Sequence, residues 1–196
     1  METIRLGHFP EPWPPDFGDR DRALLFSEAY QILLRELKDR GPKAYSVTWW
    51  PADQTVGFWF RRMAQETAVH RVDVEAAYDM VTPIDAELAT DGVDEVLMLF
   101  LAGDWADHPV EEGDGKVIDI LAGGRIWRIT LEVLEVGCLE QAPGRALPDI
   151  ADASISGDSS DVLLWLWGRG RPEHLTVTGD AELAEVLRRR MELATQ

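Results

Sequence analysis

The run GFWFRRMAQETAVHRVDVEAAYDM, Gly57 to Met80, decides how the first half of this chain is read. Its apolar residues recur at helical spacing, so a helix is expected from roughly Phe58 to Asp79. With Glu66 at zero and about 100° per residue, His70 falls at about 40°, Met63 at about 60° and Val74 at about 80°. Arg61, Gln65, Ala68, Arg71 and Glu75 fall at roughly 140° to 260°, which reads as the wet side. His70 therefore belongs to the apolar arc and Glu66 to its edge. An unpaired carboxylate is costly to bury, so Glu66 calls for a partner. Three partners stay open. Arg62 lies one turn earlier; His70 could hydrogen-bond Glu66, or Asp73 through its other nitrogen; or a divalent cation could be chelated by two side chains four residues apart. A catalytic zinc takes about three protein ligands, and this helix offers two.

Working outward, Leu25, Ala29, Ile32, Leu33 and Leu37 mark an earlier helix, about Asp19 to Asp39, stopped by Gly41-Pro42. Before it, the arm HFPEPWPPDFG is too rich in proline for regular helix or central strand. Pro83 precedes a third helix, about Asp85 to Leu101, with Leu88, Val93, Val96, Leu97 and Phe100 apolar. The pattern changes at AGDWADHP, Ala102 to Pro109. From there KVIDILA, RIWRITLEV, ADASISG and LTVTG read as strands, with the turn-rich APGRALPD among them. Ser159 to Trp167 and Asp180 to Leu193 read as helices, the second capped by Asp180. The expected fold class is α+β. Residues 1–103 form a partial helical bundle, and residues 104–196 a domain of helices on a mainly antiparallel sheet.

A net charge of −17 argues against nucleic acid and anionic membranes, both of which need a concentrated basic face. The one dense basic cluster, Arg188 to Arg190, falls in the last turns of a helix, where cations complement the dipole. A single cysteine, Cys138, excludes an internal disulfide and reads as a packed thiol. No signal-peptide pattern and no membrane-spanning run is present, so a cytoplasmic location is expected.

GFWFRRMAQETAVHRVD, PIDAELATDGVDEVL, VLLWLWGRG and LTVTGD together resemble the actinobacterial mycothiol-dependent maleylpyruvate isomerase family across nearly the whole chain. The resemblance implies an N-terminal metal-binding bundle of the DinB type and a C-terminal domain like the sterol carrier proteins. It implies that Glu66 and His70 are ligands of a divalent metal, zinc, and that mycothiol is the cosubstrate. Arginine in excess of lysine, with abundant Ala, Asp and Trp, suits an actinobacterial source. Family members begin with two further helices that carry a W-T-V-R-D-like segment and a histidine ligand. This sequence starts after that region, and His8 is the only histidine in its arm. His108 and His174 read as solvated. The shortened bundle leaves apolar surface for the arm or another copy of the chain to cover.

The resemblance further implies zinc acting as a Lewis acid that holds a thiol sulfur as thiolate for addition to a small electrophile. Rotation and thiol departure would give cis–trans isomerisation; retention would give transfer. Arg169, in a WGR context, is the candidate for neutralising an anionic substrate by a bidentate fork, or else for capping the helix that ends near Trp167. Trp49 and Trp50 read as packing or as pocket wall, and Trp165 and Trp167 as core or domain-interface packing. Two functions stand. One is a metal-binding, thiol-dependent isomerase or transferase. The other is a shortened, non-catalytic relative that binds a small ligand or partner, with Glu66 and His70 as a hydrogen-bonded pair.

Overall fold

A computed structural model describes residues 18–113, 115–133, 135–141 and 149–195. The proline-rich arm through Phe17, His8 within it, and most of APGRALPD lie outside the described residues. The chain divides into two compact units, Met1–Thr67 and Ala68–Gln196. The pattern change at Ala102 to Pro109 marks where strands begin; compactness divides the chain earlier, within a helix.

In the first unit, helix α1 spans Arg22–Arg40. The Asp21 carboxylate accepts from Leu24 N at its start, one of the donors a helix N-terminus leaves unpaired. Gly41, at φ 73°, ends it and returns its N–H to Leu37 O. Of the expected apolar face only Leu37 is buried, whereas Leu24, Phe26, Tyr30, Ile32 and Leu34 are exposed. The following loop is fixed by the Gln54 amide, which donates to Thr48 Oγ1 and Trp50 O. Helix α2 spans Val56–Ala76. At its start Trp49, Phe58 and Trp59 pack edge to face with centroids 4.8 to 5.4 Å apart, and Trp59 donates to Val47 O.

In the second unit, α3 (Ala86–Glu95) is capped by Asp85, which accepts from Glu87 and Leu88 N. It runs into a π-helical turn, Val96–Leu101. The strands are β1 (Lys116–Ala122), β2 (Arg125–Leu131), β3 (Val136–Gln141), β4 (Ala153–Ser156) and β5 (Thr176–Gly179), with α4 (Ser159–Leu166) and α5 (Glu182–Ala194). The sheet order is β3-β2-β1-β4-β5. All pairings are antiparallel except β1–β4, which is parallel, so the sheet is mixed. The chain makes a three-strand meander and then returns to the open edge of β1.

Register in the meander is set by its first turn. Ala122 pairs with Arg125 across Gly123 and Gly124, at φ 56° and 76°. Positive φ at both central residues makes a two-residue turn whose twist matches the strands. A Cβ at Gly123 would lie 2.1 Å from Thr90 Oγ1, so the turn sits against the Thr90–Ser159 hydroxyl pair. Val93, Leu97, Ile118, Ile120, Trp127, Ile129, Leu163 and Leu187 form one core between these helices and the sheet. Trp127 is fully buried, and its indole N–H reaches Asp94 Oδ1 on α3 at 3.0 Å. The buried Asp119 is held by a bidentate fork from Arg128 at 2.8 Å.

The arginine cluster serves a different end from the one expected. No basic side chain lies in the last turn of α5, and Asp180 accepts from Glu182 N just ahead of the helix. Arg190 is 0% exposed. Its guanidinium donates to the carbonyls of Glu132, Val110 and Glu112 and lies 5.6 Å from the Trp105 ring centroid. It thereby binds two loops to the core. Arg188 and Arg189 pair at the surface with Glu192 and Glu112. Arg190→Ala would strand buried carbonyls and leave a cavity, and we expect a loss of about 3 kcal/mol or more in urea unfolding. Arg188→Ala should change stability by roughly 0.5 kcal/mol or less.

Candidate functional site

Helix α2 buries a face rotated from the one its apolar residues suggest. Phe58, Trp59, Arg62, Gln65, Ala68, Val69 and Val72 are buried, whereas His70 and Val74 are exposed. His70 is thus not inside, and its side chain is 64% accessible. The wheel failed because apolar residues are scattered right round this helix, so their mean direction is weakly defined. Long polar side chains occupy the true inner face, with Arg62 only 2% exposed.

The structure gives each predicted group a protein partner. Buried Arg62 donates to Glu66 Oε1 at 2.5 Å, which is the nearest of the expected answers. Asp73 Oδ2 lies 2.9 Å from His70 Nδ1. Arg169 places a bidentate fork on Asp73, Nε to Oδ1 at 2.6 Å and Nη2 to Oδ2 at 2.8 Å. Its remaining nitrogen, Nη1, donates to Trp167 O at 2.8 Å, so Arg169 also caps the end of α4 as one of its expected roles required. The guanidinium lies 5.9 Å from the Trp167 ring centroid, and Trp167 packs edge to face on Phe100 at 5.4 Å. Hydrogen bonds from Arg169 hold the Asp73 carboxyl below the ordinary carboxylate range; partial desolvation opposes that, and the His70 contact adds to it.

Asp73 is the member of this cluster that spacing alone undervalued. Its i,i+3 relation to His70 was legible, but its bond to Arg169, 96 positions away, was not. A turn further on, Arg71 and Glu75 pair at 2.7 Å, and Glu75 accepts from Thr82 N, fixing the chain after α2. Cys138 is partly buried, and burial, with Asp94 and Glu140 nearby, pushes its thiol up to about 12. It reads as a packed thiol, as the sequence suggested.

As donors for a divalent metal, these residues fit in part. A ligating histidine commonly has its other ring nitrogen held by a carboxylate, and His70 with Asp73 has that form. Glu66 is committed to Arg62. Among the described residues no group of three or more His, Cys, Asp or Glu side chains could hold a metal ion. The described donors therefore do not make up a catalytic zinc site, which takes about three.

Two family models match the sequence. The mycothiol maleylpyruvate isomerase N-terminal domain matches residues 9–75, and the MDMPI C-terminal domain matches residues 87–185. The chain belongs to the mycothiol maleylpyruvate isomerase family. The first match contains Glu66, His70 and Asp73, and the second contains Arg169. No curated protein matches the chain. Among solved structures, it is similar to a UbiJ-SCP2 ubiquinone synthesis protein at 20% identity and TM-score 0.41, over 55% of this chain and 96% of that one. It is also similar to the apo form of sterol carrier protein 2 from Yarrowia lipolytica at 15% identity and TM-score 0.38, over 59% and 96%. A third is the sterol carrier protein 2 like 2 of Aedes aegypti, at 15% identity and TM-score 0.36, over 54% and 98%. No helix among the described residues is long and apolar enough to cross a membrane.

The Asp73 network carries an acid-limb expectation. Its folded-state value lies below that of an unfolded aspartate, about 3.9, so its contribution is full above that pH and is lost as pH falls through the lowered value. Asp73→Asn should cost about 1 kcal/mol or less at neutral pH, since the pair is partly exposed. The variant should also lose stability less steeply than the parent as pH falls below about 4, read from urea midpoints.

Proposed function

We propose that this chain is a thiol-dependent isomerase or transferase acting on a small electrophile. Mycothiol is its thiol, and Glu66 and His70 are its own donors to a divalent cation, zinc by family resemblance. The observation that carries this reading is that both domains of the family match this one chain, and that the matched segments contain Glu66, His70 and Arg169. The reading requires Glu66 to exchange Arg62 for the cation. It also requires donors beyond these two, which the described residues do not supply. Arg169 already donates a fork to the Asp73 carboxylate, and a planar guanidinium has the shape to donate in the same way to an anionic substrate group.

A second reading is a non-catalytic relative that binds a small ligand. It is favoured by the internal bonding of the same groups, Glu66 to Arg62 and His70 to Asp73.

One set of measurements separates the two. Zinc titrated into the chelator-treated chain should bind, and Glu66→Gln and His70→Ala should each weaken binding by about tenfold or more. Maleylpyruvate isomerisation should then appear only with mycothiol and zinc together. Zinc uptake unchanged in both variants removes the donor assignment. A chain that takes up no zinc and shows no turnover selects the second reading.

A further inference from the structure

Resting on the proposed role of His70 as a working group of the site, we propose that Asp73 is a positioning residue that dictates which nitrogen of the His70 ring carries the proton. Nδ1 is the N–H donor, and Nε2 holds the lone pair of the neutral ring.

The argument is one of donors and acceptors. Asp73 Oδ2 faces two nitrogens at once, Arg169 Nη2 at 2.8 Å and His70 Nδ1 at 2.9 Å, while Oδ1 faces Arg169 Nε at 2.6 Å. A guanidinium only donates, so both carboxylate oxygens are acceptors toward Arg169. A carboxylate held this way is ionised and has no hydrogen to offer. The hydrogen in the His70 contact therefore belongs to Nδ1. A neutral imidazole has one N–H, so its lone pair lies on Nε2. The bond at one ring nitrogen thus decides the chemistry open to the other.

Asp73 can do this because it is itself held in place. Arg169 grips it through two bonds and is in turn anchored to Trp167 O and against the Trp167 face. Trp167 rests on Phe100 in the π-helical turn, and both side chains pack on the core. The exposed imidazole is tied back to the core through a fork of fixed geometry. Arg169 acquires a role distinct from gripping substrate: it sets the angle of the carboxylate that sets the ring.

The test is the long-range nitrogen-15 imidazole spectrum of the full, chelator-treated chain at mildly alkaline pH. His70→Gln identifies the His70 signals. In the parent chain His70 should show a protonated δ1 and an unprotonated ε2 nitrogen. In Asp73→Ala that pattern should be lost, with the proton moving to ε2 or averaging over both positions. An ε2-protonated His70 in the parent chain overturns the proposal before any variant is made. So does an unaltered pattern in Asp73→Ala with native circular dichroism. A purely structural Asp73 would lower the unfolding midpoint in that variant and leave the ring nitrogens unmoved. None of these spectra depends on turnover or on zinc, so they decide the tautomer even where the isomerase reading fails.

Discussion

One carboxylate, that of Asp73, is the acceptor on which the local order of this site depends. A carboxylate has lone pairs for a planar two-point donor and still for one more N–H, and both capacities are filled. It takes the two-point fork of Arg169 and the Nδ1 contact of His70 at once. The bond also joins segments far apart in sequence, because Arg169 follows α4 while Asp73 lies in the C-terminal half of α2. Its energy is modest because water reaches the pair. Its value is directional.

The second unit shows the same use of polar side chains at deeper sites. Arg128 forks onto Asp119 inside the sheet, Trp127 finds Asp94, and Arg190 collects three carbonyls of two loops. Each places a strong donor where a buried acceptor would otherwise be stranded. Hydrophobic burial supplies the bulk of the driving force, and these bonds select one arrangement of loops and helices from those the apolar core would permit.

Much of this was legible in the sequence. The helix start at Asp85, the stop at Gly41-Pro42 and the strand KVIDILA all carry local signals, and local bonds realise them. The return of β4 to pair in parallel with β1 was not legible, since no residue in ADASISG announces the direction of its neighbour. The inner face of α2 was misread for a physical reason: Gln65 and Ala68, which the wheel put on the wet side, are buried, and long polar side chains share that inner face. Arg190 was misread likewise, because a row of three arginines late in a helix suggests cations that complement its dipole. The carboxylate–imidazole spacing of Glu66 and His70 was visible at once. Their partners were visible only in part, because Arg62 and Asp73 are near in sequence and Arg169 is not.

The strand order also bears on how the chain reaches its native state. β1 receives β2 across a two-residue turn, within moments of its own formation, but its other partner is drawn from residues 153–156, after the meander is complete. Contacts so distant form late, since the loop must close before the pairing rewards it. Through that interval the edge of β1 is open along Ile118 to Leu121, a template for the same edge of another nascent molecule. Self-association in this protein is thus a hazard of its assembly route, and β4 is the strand that closes it.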